Sequence, residues 1–141
     1  MNGQPERPVE TVQEWLRYAE EDLGVAAREF EQGSTAYHTM CFLCQAAAEK
    51  LLKAYLIARG WTLERTHDVV ALLELCAAHD ANWRDLVDEG AVLNEYIVSG
   101  RYPGDLAFEG IGHPEVEEAL QAVRRIHARV TTLLKASPKG E

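Results

Sequence analysis

The chain has 141 residues, of which 47% are hydrophobic and 26% charged, a balance typical of one globular domain. The chain has 14 lysines and arginines and 23 aspartates and glutamates, which gives a formal net charge of −9. This charge argues against a general DNA-binding protein, because such proteins gain affinity by neutralising phosphates. No apolar run reaches the roughly 18 residues of a membrane span, and residues 1–10 lack the layout of a secretion signal. The sequence therefore predicts a cytoplasmic protein with no membrane segment.

The charge is unevenly distributed along the chain. Residues 1–32 carry −5 and residues 68–118 carry −10, whereas residues 33–67 carry +2 and residues 119–141 carry +4. The two basic stretches are compatible with a small anionic ligand or a short RNA. Solvated helix faces explain them as well.

The first predicted elements are a loose leader over residues 1–8 and a helix over residues 9–32, which Gly33 ends. Apolar residues in this helix recur every three or four positions, as expected for one buried face. They are Trp15, Tyr18, Ala19, Leu23, Ala26, Ala27 and Phe30.

A second helix is predicted over residues 34–59, with Ser34 as its N-cap and Gly60 after its end. It is apolar almost all round, and a chain of this length has few other helices to cover it. We therefore predict a homodimer through this helix. Its narrow polar strip contains His38, Gln45, Glu49 and Arg59, with Lys53 at the edge.

The remaining predicted elements are three further helices and a loop. A third helix begins near residue 68, capped by Thr66 or His67, and a fourth runs from residue 82 or 83 to residue 99, ended by Gly100. Residues 101–114 are rich in proline and glycine and predict a loop. Pro114 suits the first turn of a last helix, and residues 136–141 form a frayed tail. The prediction is a single-domain, all-α, up-and-down and mainly antiparallel bundle over residues 9–135, with four long helices and one short one.

Patterns typical of metal sites and enzymes are missing from the sequence. Cys41 and Cys44 have Cys-x-x-Cys spacing but lie in an apolar helix with no second pair, so we interpret them as small core residues. With Cys76 they make three cysteines, an odd number that indicates reduced thiols in a chain without a secretion signal. The five histidines show no His-Glu-x-x-His pattern, and there is neither a nucleophile elbow nor a phosphate loop. We predict no metal, no cofactor and no catalytic residues.

Two polar segments remain as candidate sites. One runs from Gln45 to Lys53 and continues to Arg59 and His67; the other is Arg101-Tyr102-Pro103, just after a predicted helix end. An Arg-Tyr turn offers a guanidinium group for phosphate and an aromatic face for a base. In the structural alternative, Arg101 pairs with an acidic helix and Tyr102 packs as a lid.

These segments resemble the HEPN domain family, which is named for its occurrence in higher eukaryotes and prokaryotes and for proposed nucleotide binding. The resemblance covers roughly residues 9–135. Its motifs are Trp15-x3-Ala19-x2-Asp22-Leu23-x2-Ala26, Cys41-Phe42-x2-Gln45-Ala46-x-Ala48-Glu49-Lys50-x2-Lys53-Ala54-x-Leu56, Thr66-His67, Leu72 and Arg101-Tyr102-Pro103.

The resemblance implies a helical bundle that usually dimerises and frequently works with a minimal nucleotidyltransferase, often as a toxin–antitoxin or defence pair. Some members are metal-independent ribonucleases that use an Arg and a His separated by four to six residues. Here seven residues separate Arg59 from His67, and eleven separate Arg101 from His113. The ribonuclease spacing is therefore absent.

The expected function is a non-catalytic, dimeric module that binds a nucleotide or a partner protein. Arg101 would hold phosphate and Tyr102 would stack or orient the base, while Lys53, Arg59 and His67 would add positive potential. One alternative is a ribonuclease toxin in which His67 or His113 acts as acid and base and Arg59 or Arg101 stabilises the scissile phosphate. Another is a dimerisation scaffold that recruits a nucleotidyltransferase.

Overall fold

The computed structural model describes residues 8–98 and 110–136, and within these ranges every regular element is helical. This confirms the predicted all-α bundle. The elements are α1 (Pro8–Glu31), α2 (Tyr37–Ala58), α3 (Val69–Ala77), a 3-10 helix (Ala81–Leu86), α4 (Val87–Val98) and α5 (His113–Ala136). None of the described helices is long and apolar enough to cross a membrane.

Helix α2 lies at the centre of the bundle, where it packs most extensively against α1 and then α5, and also contacts α3 and α4. Every residue from Leu51 to Leu56 is buried. The chain itself therefore covers most of α2, and the predicted reason for a dimer, an uncovered apolar helix, is wrong. What remains accessible is a strip near the start of α2 that includes Thr39, Phe42 and Ala46. We call this the α2 strip.

The turns after α1 and α2 follow the sequence prediction, but the start of α2 does not. Gly33 and Gly60 have φ values of +79° and +92°, which only glycine adopts at little cost. Ser34 is not the N-cap of α2, because the helix begins three residues later, at Tyr37. The Ser34 hydroxyl instead accepts a 3.1 Å hydrogen bond from the Ala36 N–H, a local turn that delays the helix.

The start of α3 is set by Asp68, which corrects the predicted cap at Thr66 or His67. The Asp68 Oδ1 atom accepts a 3.0 Å hydrogen bond from the Ala71 N–H, in the usual N-cap geometry. Thr66 acts one step earlier, since its hydroxyl accepts from the Asp68 N–H at 3.2 Å. This leaves the His67 side chain available for a contact with α2.

The predicted fourth helix is two elements, since its first part is the 3-10 helix and α4 begins only at Val87. Asp80 caps the 3-10 helix by accepting from the Asn82 N–H at 3.0 Å, and Trp83 is fully buried. The tighter winding of this segment accompanies the burial of Trp83 in the core. Helix α1 begins at Pro8, inside the predicted leader. The expectations for the rest of the leader, Gly100 and residues 137–141 concern residues outside the described ranges.

Candidate functional site

A polar cluster lies halfway along α2 and is centred on Glu49. Its Oε2 atom accepts a 2.7 Å hydrogen bond from the Lys53 ammonium, and its Oε1 atom accepts from the Gln45 amide at 3.2 Å. The three residues are spaced by four along α2 and so share one face. His67, from the segment between α2 and α3, completes what we call the Glu49 cluster: its Nδ1 atom lies 2.9 Å from Glu49 Oε1.

Two members of the Glu49 cluster, Gln45 and Lys53, are buried. Gln45 and Lys53 are 3% and 4% exposed, and Lys53 Nζ lies 5.7 Å from the centre of the Trp15 ring. A buried ammonium group needs a counter-charge, and Glu49 supplies it. Burial, the largest influence on Glu49, favours the protonated acid, but the hydrogen bonds and charges of Lys53 and His67 together lower the pKa of Glu49 below its usual value. Glu49 is therefore an ionised acceptor at neutral pH.

The geometry fixes the orientation of the His67 imidazole. An ionised carboxylate only accepts hydrogen bonds, so the 2.9 Å contact assigns the proton to Nδ1. The Gln45 amide also donates to the His67 carbonyl oxygen at 3.2 Å, which ties the backbone at this point to α2. The side chain of His67 is 68% exposed. An imidazole held at Nδ1 in this way offers its Nε2 atom to solvent or to a ligand.

A surface cavity of about 250 Å³ adjoins the cluster, and we call it the Phe42 cavity. The Phe42 ring, 48% exposed, is its aromatic wall. Lys50 stands at the rim and donates a 2.5 Å hydrogen bond to Asp22 on α1. The lining residues are Phe42, Gln45, Ala46, Glu49, Lys50, His67 and Ile97.

A second cavity, of about 410 Å³, lies between α1 and the segment after α2, and we call it the Trp15 cavity. It shares Lys50 with the Phe42 cavity. Tyr18 and Leu63 are half-exposed walls from the two sides, and the Arg17 guanidinium lies 4.5 Å from the centre of the Tyr18 ring. The lining residues are Thr11, Glu14, Trp15, Tyr18, Lys50 and Leu63.

The structure brings two of the predicted site residues together. Lys53 and His67 both contact Glu49, although Lys53 is buried and its ammonium points to internal partners. Arg59 follows the last residue of α2, six positions and about 9 Å beyond Lys53, and its guanidinium lies 4.8 Å from the centre of the Tyr55 ring. Arg101 and Tyr102 lie outside the described residues.

Three residues that shape the two cavities, Tyr18, Phe42 and Lys50, are not among the predicted site residues. Phe42 and Tyr18 lie on helix faces that periodicity assigns to the core, and only the arrangement of the neighbouring helices leaves them half-exposed. Lys50 belongs to a quoted motif, but its position between two cavities depends on the packing of α1 beside α2. No pattern in the sequence signals either fact.

The described residues contain no cluster of three or more His, Cys, Asp or Glu side chains arranged to hold a metal ion. Cys41, Cys44 and Cys76 are buried free thiols, and burial raises the pKa of each to about 12. The polar chemistry of this region rests on the Glu49 cluster, Lys50 and the two aromatic walls.

Solved structures with the same fold include three helical proteins at a TM-score of 0.69 each. An archaeal HEPN homologue (ST0689) is 25% identical, with 86% of this chain and 96% of that chain covered. TT1696 from Thermus thermophilus is 29% identical, with the same coverage. An HEPN domain protein (tm0613) from Thermotoga maritima is 22% identical, covers 88% and 99% of the two chains, and shows the fold alone. No curated protein matches the sequence.

The profile of the HEPN domain family matches residues 12–133, which include the Glu49 cluster and, apart from Thr11, the residues of both cavities. This match covers far more than half of the chain. It agrees with the helical architecture and with the solved structures above. The chain belongs to the HEPN domain family.

Proposed function

We propose that this chain is a non-catalytic, dimeric nucleotide-binding or partner module that works with a minimal nucleotidyltransferase in a toxin–antitoxin or defence pair. The observation that carries the binding role is the Phe42 cavity, which combines an exposed aromatic wall with a polar floor and a lysine at the rim. Aromatic side chains stack on any nucleobase because every base has a π-face. A base against Phe42 places its sugar and phosphate near Lys50 and His67.

Arg101 and Tyr102 are the proposed phosphate and base contacts beyond this cavity. Ile97 lines the cavity, and four residues of chain, which span at most about 14 Å, lead from it to Arg101. A guanidinium fork matches the geometry of phosphate oxygens. In this proposal Lys53 acts indirectly by holding Glu49, His67 presents Nε2 to the ligand, and Arg59 contributes only to the local positive charge.

The proposed dimer uses the α2 strip, since the rest of α2 is covered within the chain. Dimers are common among HEPN domains. A second copy on the Thr39 end of this strip would stand beside Phe42 and so contribute to the rim of the cavity. Light scattering at micromolar concentration tests the proposal, and a monomeric mass contradicts it. Copurification with a small nucleotidyltransferase encoded beside this chain tests the partner role.

Thermal unfolding measured with ATP, GTP, their monophosphates and a short RNA tests nucleotide binding. A ligand at 100 times its Kd adds about 2.7 kcal/mol to the stability, which is readily measured. We expect Arg101→Ala and Phe42→Ser to lose the shift. Leu75→Ser is the matched control, because Leu75 is an exposed apolar residue on α3 that lines neither cavity. The absence of a shift with every ligand rejects nucleotide binding and leaves the scaffold role.

The contact between Glu49 and His67 favours one second candidate, a metal-independent ribonuclease. With Glu49 on Nδ1, the Nε2 atom of His67 can accept a proton from a ribose 2′-hydroxyl. The 2′-oxygen would then attack the adjacent phosphorus and expel the 5′-oxygen. The departing 5′-oxygen takes a proton from water. The family's Arg–His spacing is absent, so this candidate stands second. RNA cleavage by the wild type and its loss in His67→Ala would support it; no cleavage by the wild-type dimer ends it.

A further inference from the structure

We propose that the site accepts two neighbouring nucleotides joined by one phosphate, with one base in the Phe42 cavity and the other in the Trp15 cavity. This inference rests on the proposed nucleotide-binding function and deepens it, because it specifies the end of a nucleic-acid strand, or a dinucleotide, as the ligand class. It concerns residues on α1 and α2, the segment from Trp61 to His67, and Ile97 on α4.

Two lysines make the cavities parts of one site. Lys50 lines both cavities and forms the ridge between them. Beneath the surface, Lys53 links the Glu49 carboxylate of the first cavity at 2.7 Å to the Trp15 ring of the second, with 5.7 Å from Nζ to the ring centre. A movement of the Lys53 side chain would therefore disturb both cavities. Small-molecule sites have volumes of about 300–1,000 Å³; the Phe42 cavity, at about 250 Å³, is just below this range, and the Trp15 cavity, at about 410 Å³, is near its lower end.

Each cavity has one half-exposed aromatic ring, and the two rings come from different helices. Phe42 belongs to α2 and is 48% exposed, and Tyr18 belongs to α1 and is 46% exposed. The shared Lys50 lies eight positions after Phe42, about 12 Å along the helix axis. An aromatic ring on each side of Lys50 matches the order base, phosphate, base.

The charges around Lys50 restrict the ligand to one phosphate. An ammonium group has three N–H donors, and Asp22 accepts one of them at 2.5 Å, so a phosphate oxygen can be bound by another. Glu49 lines the first cavity and Glu14 the second, and both carboxylates repel additional negative charge. A dinucleoside monophosphate places uncharged bases beside these carboxylates and its one phosphate at Lys50. A nucleoside triphosphate brings far more negative charge to the same place.

Calorimetric titration of the full chain with AMP and with adenylyl-adenosine (ApA) tests the inference. We expect ApA to bind the wild type at least tenfold more tightly than AMP, because the second base stacks in the Trp15 cavity. Tyr18→Ser and Leu63→Ser, on opposite walls of that cavity, should each remove the advantage of ApA over AMP. Leu75→Ser, at an exposed position on α3, should change neither affinity. The logarithm of the ApA affinity should fall with the logarithm of salt concentration with a slope of about −0.7, as for one phosphate contact.

The outcomes separate this inference from the proposed function. If AMP and ApA bind equally, the second base position is overturned while nucleotide binding stands. If ApA keeps its advantage in both Tyr18→Ser and Leu63→Ser, the assignment to the Trp15 cavity is overturned. If neither compound binds the folded wild type, both proposals fail. A melting temperature for each variant confirms that the chain is folded in every titration.

Discussion

Glu49 and His67 lie 2.9 Å apart, from carboxylate Oε1 to imidazole Nδ1, although they are 18 positions apart in the chain. This contact joins the middle of α2 to the segment that enters α3, and the Gln45 amide reinforces it by donating to the His67 carbonyl oxygen. The segment between Gly60 and Asp68 is thereby tied to the central helix. Because Glu49 also holds the buried Lys53, one carboxylate connects the surface imidazole with the core.

Replacing Glu49 with glutamine should lower the free energy of unfolding by about 3 kcal/mol at pH 7, because the buried Lys53 ammonium loses its counter-charge. The pKa of Glu49 is lowered in the folded state, so its ionised form stabilises the fold above the usual carboxyl pKa of about 4.3. That stability is lost as the pH falls through the lowered folded-state pKa. In urea unfolding, the difference in free energy of unfolding between the wild type and Glu49→Gln should therefore be full at pH 7 and should shrink below about pH 4.

The double variant Glu49→Gln with Lys53→Met is the control for this prediction. It removes both charges, so it should be more stable than Glu49→Gln alone, since no buried ammonium remains without a partner. If the effects of the two single changes simply add, Glu49 does not stabilise the fold through Lys53.

Asn94 on α4 should stabilise the start of α3 together with Asp68. Its Oδ1 atom accepts a 2.7 Å hydrogen bond from the Val69 N–H, and its Nδ2 atom donates to Asp68 Oδ1 at 2.8 Å. The hydrogen bond from Asn94 to Asp68 lowers the pKa of Asp68, and the bond from the Ala71 N–H lowers it further by a smaller amount. We expect Asn94→Ala and Asp68→Ala each to cost about 1–2 kcal/mol in denaturant unfolding.

The two changes at the α3 cap should also be coupled, because Asn94 and Asp68 share a hydrogen bond. The double variant should cost less than the two single costs together. Asp80→Ala, which removes the cap of the 3-10 helix, is the matched control and should add independently to Asn94→Ala. Additive costs for Asp68 and Asn94 would show that the two caps act separately.

The three thiols should be unreactive in the folded protein. Burial raises the pKa of Cys41, Cys44 and Cys76 to about 12, so about one thiol in 10,000 is ionised at pH 8. Treatment with a disulfide reagent such as DTNB should release almost no colour from the native chain and three equivalents after unfolding. Rapid reaction of one thiol in the native state would show that its helix opens locally.

Periodicity and glycine positions were enough to predict an all-helical chain and the turns at Gly33 and Gly60, because both depend on local geometry. The caps at Ser34 and Thr66 were predicted wrongly, since several side chains compete for the same N–H groups and tertiary contacts select among them. The exposure of Phe42 depends on which neighbours cover α2, and the sequence does not contain that information. The candidate site was therefore predictable as a set of polar residues on α2, but not as a pair of cavities.

Glycines 24 and 90 lie inside helices, and alanine should affect stability in opposite directions at the two positions. An alanine Cβ at position 24 meets only the flexible Arg28 guanidinium at 3.3 Å, so Gly24→Ala should stabilise the fold by about 0.5–1 kcal/mol. At position 90 an alanine Cβ would lie 2.5 Å from the Cδ1 atom of Leu73 in the core. This overpacking costs about 1–3 kcal/mol, which exceeds the gain in helix propensity, so Gly90→Ala should destabilise the fold.

Thermal unfolding of both alanine variants tests this contrast, and Leu73→Val supplies the decisive control because valine has no δ-methyl group. The cost of Gly90→Ala should be smaller in the Leu73→Val background than in the wild type, because the contact between α3 and α4 is then relieved. The effect of Gly24→Ala should be the same in both backgrounds, since Arg28 lies on α1, away from that contact. If Gly90→Ala stabilises the wild type as much as Gly24→Ala does, α4 does not approach Leu73 as closely as the structure shows.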